Sequence, residues 1–312
     1  MATLRTIRLR IKGTKNIKQI TRAMEAVSAV KMRKSQSAAL SARPYATAAL
    51  HLLKNLEASM HTQDTSAHPL LEQREVQTKL LVVVTSDKGL AGPFNANVLK
   101  EAERFIQKSN AKVVVATVGK KAGEYFSRRG RTPIVALTGF GDYASVAEVQ
   151  PIFEAILEAF TNEKADEVFI IYTNFLSAMK QEVVVRKLLP FSEEGLEAMV
   201  TGIVPEKGRF SEKGEAQPRR EVEPRPLEYL FEPSPNEIFD AILPALLKIE
   251  VFHAILEANA SEHSSRMVAM RNATDNAGEL IKSYTVSLNK ARQSAINKEL
   301  AEITGGSEAL AN

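Results

Sequence analysis

The chain has 312 residues, 44% hydrophobic and 25% charged, with no cysteine, and that length asks for two structural units rather than one small core. No run approaches the roughly eighteen uninterrupted apolar residues of a membrane span, and the missing cysteine excludes disulfides, thiolate metal sites and thiol redox control, which suits a reducing compartment. The net charge is only +4, yet residues 1–43 hold eleven Lys or Arg against Glu25 alone, a basic arm that implies an acidic partner: nucleic acid, anionic lipid or an acidic protein surface.

The opening MATLRTIRLRIKG lacks the apolar core of a signal peptide and moves straight into amphipathic sequence. From about Leu4 to Ala58 the spacing predicts one long helix. Ile17, Ile20, Met24 and Val27 recur at steps of three and four, and Ala23, Ala26 and Ala29 widen that face, so these are the expected seam residues. Pro44 is expected to bend or interrupt the helix rather than end it, because ATAALHLLKNLEASM resumes the helical pattern. A polar stretch from His61 to Gln77 then leads away.

From Lys79 the texture changes. KLLVVVT is a short β-branched run bounded by SDKG, as expected of a buried strand. After it come a helix from Asn95 to Lys108, the strand KVVVATV, a helix from Lys120 to Arg129, the strand PIVAL, a helix from Ser145 to Phe160 and the strand EVFIIYT. Alternation at this spacing predicts a mostly parallel sheet with helices on both faces. EVVVRKLLP, from Glu182 to Pro190, follows after a short turn and should add an antiparallel edge. Residues 202–226, rich in Gly, Pro, Glu and Arg, are expected to form a variable, mobile loop.

The last segment, 236–304, carries Ile242, Leu246, Ile249, His253, Leu256, Ala260, His263, Met267, Met270, Thr274, Ala277, Ile281, Tyr284, Leu288, Ala291 and Ala295 at alternating steps of four and three. That is the 3.5-residue seam of a coiled coil, and its alanines, histidines and threonine favour slenderness over strength. It could dimerise. An antiparallel pairing with the first helix is more economical, since each supplies the seam that the other needs, and it leaves the tip of the longer last helix without a partner.

No catalytic centre can be assembled from the residues. SDKGLAGPFNAN lies where α/β proteins bind phosphate, but Gly89 and Gly92 make neither GxGxxG nor a P-loop, and a tight turn with Pro93 setting the following helix explains it as well. His51, His61 and His68 have no metal-ligand spacing, and His253 and His263 read as packed polar seam residues. Neither a cofactor nor a small-molecule substrate is expected. A basic coiled-coil adaptor for nucleic acid stays open as an alternative, although the basic arm lacks aromatics for base stacking.

Several long motifs, in order, resemble the gamma subunit of F-type ATP synthases: IKQITRAMEAVSAVKMRKSQ and RPYA near the start, TSDKGLAGPFNAN after the first strand, then YLFEPSP, ASEHSSRMVAMRNATDNAGELI and the closing INKELAEITGGSEA. Departures are small: Asn297 stands where the signature usually has Thr, and Ser307 where it has Ala. The resemblance implies an α/β chain made of a long antiparallel coiled coil plus a Rossmann-like domain. On that reading 1–60 is the N-terminal coiled-coil helix, 78–201 the foot domain, 202–226 the loop and 236–304 the C-terminal helix that pairs with 1–60.

It further implies a non-catalytic rotor shaft. Alpha and beta subunits would surround it, epsilon and the membrane c-ring would meet its foot, and it would lie peripherally at the cytoplasmic face of a bacterial inner membrane. Met24, Gln293 and Asn297 match the family's catch with the beta levers, and Tyr229 and Glu232 match foot positions facing the c-ring and epsilon. Charge adds Arg8, Arg10, Arg22, Lys31, Arg33 and Lys34 as candidates facing acidic surface, and Ile296, Leu300 and Ile303 are the expected bearing tip.

Overall fold

The computed structural model describes residues 3–60, 68–139, 145–191 and 235–311; within them, side chains at 39–40, 42–60, 235–236, 238–239 and 305–311 lie outside the description. The expected 202–226 loop also lies outside it. The chain divides into two compact units, one made of Met1–Ala29 with Arg266–Asn312 and the other of Val30–Ser265.

In the larger unit a five-stranded sheet has the order β3-β2-β1-β4-β5, built from β1 (Thr78–Val84), β2 (Lys112–Val118), β3 (Ala136–Leu137), β4 (Glu167–Phe175) and β5 (Gln181–Leu189). β1 pairs in parallel with β2 and β4, β2 in parallel with β3, and β4 antiparallel with β5. The central run is apolar throughout because both faces are covered. Leu80, Val82 and Val84 point into one core with α4 (Val146–Thr161) and the first turns of the last helix, α5 (Pro235–Ala311). Leu81 and Val83 point into the other with α2 (Phe94–Lys108) and α3 (Lys120–Ser127). Ser145 and Glu148 close a reciprocal capping box at the start of α4, Ser145 N donating to Glu148 Oε2 at 2.6 Å.

β3 is shorter than PIVAL suggests. Only Ala136 and Leu137 pair in regular register, with Thr117 and Val118; the residues before them continue irregularly, Ile134 N donating to Val115 O at 2.9 Å and Thr117 N to Val135 O at 2.8 Å.

The first helix, α1 (Leu4–Met60), runs unbroken through Pro44, and α5 continues past Thr304 through Gly305 and Gly306 to Ala311. One expectation is overturned. Ile17, Ile20 and Val27 are more than half exposed, so they are not the seam of α1. Its inward face is Ile7, Ile11, Thr14, Lys18, Thr21, Ser28, Met32 and Ser35, again at steps of three and four except where Met24 and Glu25 share one turn, both half-buried. The seam of α5 stands where expected: Met270, Thr274 and Ala277 are buried, and Ile281, Tyr284, Leu288, Ala291 and Ala295 are the only covered positions among otherwise exposed residues from 279 to 304.

Candidate functional site

In the smaller unit the two helices are held by a narrow, partly polar contact. Thr21 Oγ1 and Thr274 Oγ1 lie 2.7 Å apart, and each hydroxyl also reaches a carbonyl of its own helix, Lys18 O at 3.1 Å and Met270 O at 2.8 Å. One turn along, Lys18 crosses the helix at Gly278, its Nζ 3.2 Å from where a Cβ would stand. Stepping back on α1 from Thr21 to Lys18 therefore means stepping forward on α5 from Thr274 to Gly278, which makes the pair antiparallel. Gly278→Ala meets only the far end of a flexible side chain and gains about 1 kcal/mol of helix propensity. We expect it to leave the melting temperature unchanged or slightly raised.

The outward surface of this unit is the unusual one. Leu9, Ile17, Ile20 and Val27 on α1, with Leu280, Val286, Ile296, Leu300 and Ile303 on α5, are all exposed. Apolar residues at helical spacing on a side that none of the described residues covers mark a surface for a partner. Leu9 and Val286 escaped the reading of the sequence, which looked only for one seam per helix. From Ile296 to Thr304 every residue of α5 is exposed.

The structure places the sequence-derived residues along these helices rather than in a pocket. Arg8, Arg10, Arg22 and Arg33 are exposed on α1 and, among the described residues, make no ion pair. Lys31 is half-buried and Lys34 exposed, and both are already engaged. Met24 is half-buried, and Gln293 and Asn297 are exposed on α5. Tyr229 and Glu232 lie outside the described residues.

The loop after β1 is filled by its own side chains. Asp87 Oδ1 accepts from Lys120 N at 2.7 Å, capping α3, and Oδ2 accepts from Gly139 N at 2.8 Å. Asn95 Oδ1 accepts from Ser86 N at 3.0 Å, and Pro93 immediately precedes α2. Asp87 thus caps α3, while the loop leading into α2 is tied down by the Ser86–Asn95 contact, the arrangement of a tight turn. Among the described residues no group of three or more His, Asp or Glu could hold a metal, and no helix is long and apolar enough to cross a membrane.

A family model described as ATP synthase matches residues 3–310. The ATP synthase gamma chain of Trichormus variabilis is 37% identical over 316 residues, covering 99% of this chain and all of that one. The gamma chain of Roseiflexus castenholzii is 39% identical over 315 residues, covering 100% and 99%.

This chain belongs to the ATP synthase gamma-chain family.

Two solved structures share the fold of this gamma-family chain. A chain of the Euglena gracilis mitochondrial ATP synthase OSCP/F1/c-ring assembly aligns with a TM-score of 0.62 at 19% identity, covering 98% of this chain and 94% of that one. One from the Tetrahymena thermophila mitochondrial ATP synthase central stalk and c-ring aligns at 0.58 with 24% identity, covering 81% and 99%. This gamma-family chain thus presents two long helices with a small-residue seam and exposed apolar and basic residues, together with a mixed sheet.

Proposed function

We propose that this chain is the central rotor shaft of an F-type ATP synthase. It couples proton-driven turning of the c-ring to ATP synthesis and hydrolysis at sites carried by the alpha and beta subunits, and it performs no catalysis itself. The observation that carries this reading is the inverted α1: small and polar residues such as Thr21 and Ser28 face inward, while Leu9, Ile20 and Val27 face out. A shaft turning inside a ring needs an outer surface that slides without specific docking. An asymmetric rod presents different faces to three chemically equal sites and so biases each toward a different state.

In this scheme Arg8, Arg10, Arg22, Lys31, Arg33 and Lys34 meet acidic levers of beta, with Met24, Gln293 and Asn297 forming the catch. Exposed charge contacts are individually weak and screened, which lets them form and break on each turn. Ile296, Leu300 and Ile303 form the bearing tip. Tyr229 and Glu232 face the c-ring and epsilon at the foot. The chain works at the cytoplasmic face of a bacterial inner membrane, held there through its partners.

Co-expression with alpha and beta subunits followed by electron microscopy tests the proposal: the chain is expected inside a six-membered ring. Recovery on DNA with no ring would sink it. Titration of the purified chain with ATP should show no micromolar binding, since the loop after β1 carries neither GxGxxG nor a P-loop. Reversing Arg22 and Arg33 to Glu should leave the unfolding free energy within about 0.5 kcal/mol of the parent while lowering ATP-driven proton pumping per ATP hydrolysed. Unchanged pumping in that double variant would remove electrostatics from the mechanism.

A further inference from the structure

Within the larger unit, α5 lies on the β4–β5 hairpin through two kinds of contact. Towards residue 265 the contact is a set of serine hydrogen bonds: Ser261 Oγ donates to Thr173 O at 3.0 Å, Ser264 Oγ to Ala178 O at 2.7 Å and Ser265 Oγ to Gln181 Oε1 at 2.6 Å. None of these titrates near neutrality. Two to three turns earlier the same helix face carries ionisable groups. Glu250, His253 and Ala254 close over Ile170 and Tyr172 of β4 and Arg186 of β5, and they leave no space that a water could enter.

The charges around Glu250 can be named element by element. Its own helix contributes His253 and Glu257, both buried, with His253 Nδ1 3.9 Å from Glu257 Oε1. β4 contributes the buried Tyr172 hydroxyl, and β5 the half-buried Arg186, whose guanidinium sits 5.5 Å from the centre of the Tyr172 ring. α4 offers the apolar Ile152, Phe153 and Ile156, and Lys248 of α5 is drawn to the Phe153 ring. α1 brings Ala38 against this core and carries Lys31 and Lys34 on its preceding turns. Glu250 is thus buried in a dry space with one half-buried guanidinium beside it, and such a site favours the carboxyl keeping its proton.

We propose that Glu250 is a proton-held latch: its neutral carboxyl lets α5 close on the β4–β5 hairpin, and loss of that proton loosens this joint while the serine contacts hold. Burial, opposed in part by Arg186, pushes the Glu250 carboxyl up to about 8 from its ordinary 4.5. The closed joint therefore keeps a proton that the opened joint releases anywhere between those two values. The closed form loses ground steadily as pH rises through that window and stops losing above about 8. Under the rotor reading, on which the functional consequence rests, the stiffness of the connection from foot to shaft would follow the pH around the foot.

Hydrogen exchange of the assembled complex between pH 6 and 9.5, each amide corrected for its intrinsic rate, reads the latch directly. Protection of residues 243–260 and of β4 and β5 should fall about tenfold per pH unit from 6 to 8 and then level off. In Glu250→Gln the profile should be flat. The latch is overturned if the parent shows no slope, if Glu250→Gln keeps the slope, or if His253→Gln alone abolishes it, since the proton would then sit on the imidazole. Failure of a ring to assemble would strike the rotor reading instead; the exchange profile of the chain in whatever complex it does form would still decide the latch.

Discussion

Gly119→Ala is expected to prevent recovery of soluble, assembled chain. Gly119 sits between β2 and α3 with φ at +94°, and a Cβ built there would lie 2.1 Å from Thr85 O. That oxygen belongs to the backbone and cannot swing aside. Thr85 is itself fixed by its N–H to Val118 O at 2.8 Å and by its hydroxyl, which accepts from Ala122 N at 2.9 Å. Relieving the clash means separating the end of β1 from the start of α3, at the centre of the sheet. Backbone strain of about 1–3 kcal/mol and the lost contacts together reach roughly 4 kcal/mol, a large share of a typical domain's 5–15 kcal/mol. Gly130 provides the internal control. It also has positive φ, +74°, but a Cβ there meets nothing within 4 Å, so Gly130→Ala should cost only about 1 kcal/mol of strain and still assemble. Soluble yield of both variants, with denaturant titration of any that is recovered, checks this, and equal behaviour would show that the Thr85 contact is not what requires glycine at 119.

The parts of the fold that were plain in the sequence are those where burial and pattern agree. β1, covered on both faces, reads as an unbroken apolar run, and α5 shows its seam because inward Ala277, Ile281, Tyr284 and Leu288 differ from exposed neighbours such as Lys282 and Lys290. The seam of α1 was misread for the opposite reason. Hydrophobic spacing identifies a face that avoids water, and in α1 two faces do so. The paired face holds Thr14, Lys18, Thr21 and Ser28, with Thr14 Oγ1 donating to Arg10 O and Thr21 Oγ1 meeting Lys18 O and the facing Thr274, so it looks like solvent surface. The stripe of Leu9, Ile20 and Val27, which looks like core, is exposed, with no cover among the described residues. A helix built to meet a second surface from outside cannot be distinguished, by spacing alone, from one packed inside its own domain.

The loop after β1 divided in the same way. Its sequence left a phosphate site and a plain turn both open, because glycines near a helix start serve either. The structure shows a turn tied by Ser86 and Asn95, with Asp87 reaching Lys120 N and Gly139 N across more than thirty residues, contacts that no local pattern announces. Arg8, Arg10, Arg22 and Arg33, proposed to face a partner, stand out in the sequence as a basic arm, and their exposure and lack of an ion pair among the described residues needed the structure.

Truncation of the last helix should separate the bearing from the drive. Residues 296–304 are all exposed, whereas Ala291 and Ala295 are half-covered, so the covered stretch of α5 ends close to Ala295. A bearing works best when smooth and apolar, since specific charge pairs would hold the rotor at preferred angles. Ile296, Leu300 and Ile303 supply that character, and most side chains beyond them are replaceable on this argument. Deleting Glu302–Asn312 should therefore lower the yield of complex but leave ATPase in the assembled fraction within about threefold of the parent, less than ~1 kcal/mol of activation free energy. Deleting back through Gln293 also removes Asn297, all three tip residues and the last covered turn. It should reduce coupled turnover by more than about tenfold even in complexes that form. Single-molecule rotation of purified complexes distinguishes lost assembly from lost torque. If the shorter deletion stops rotation in fully assembled rings, the tip is a drive element and the catch around Met24, Gln293 and Asn297 is not where force is passed.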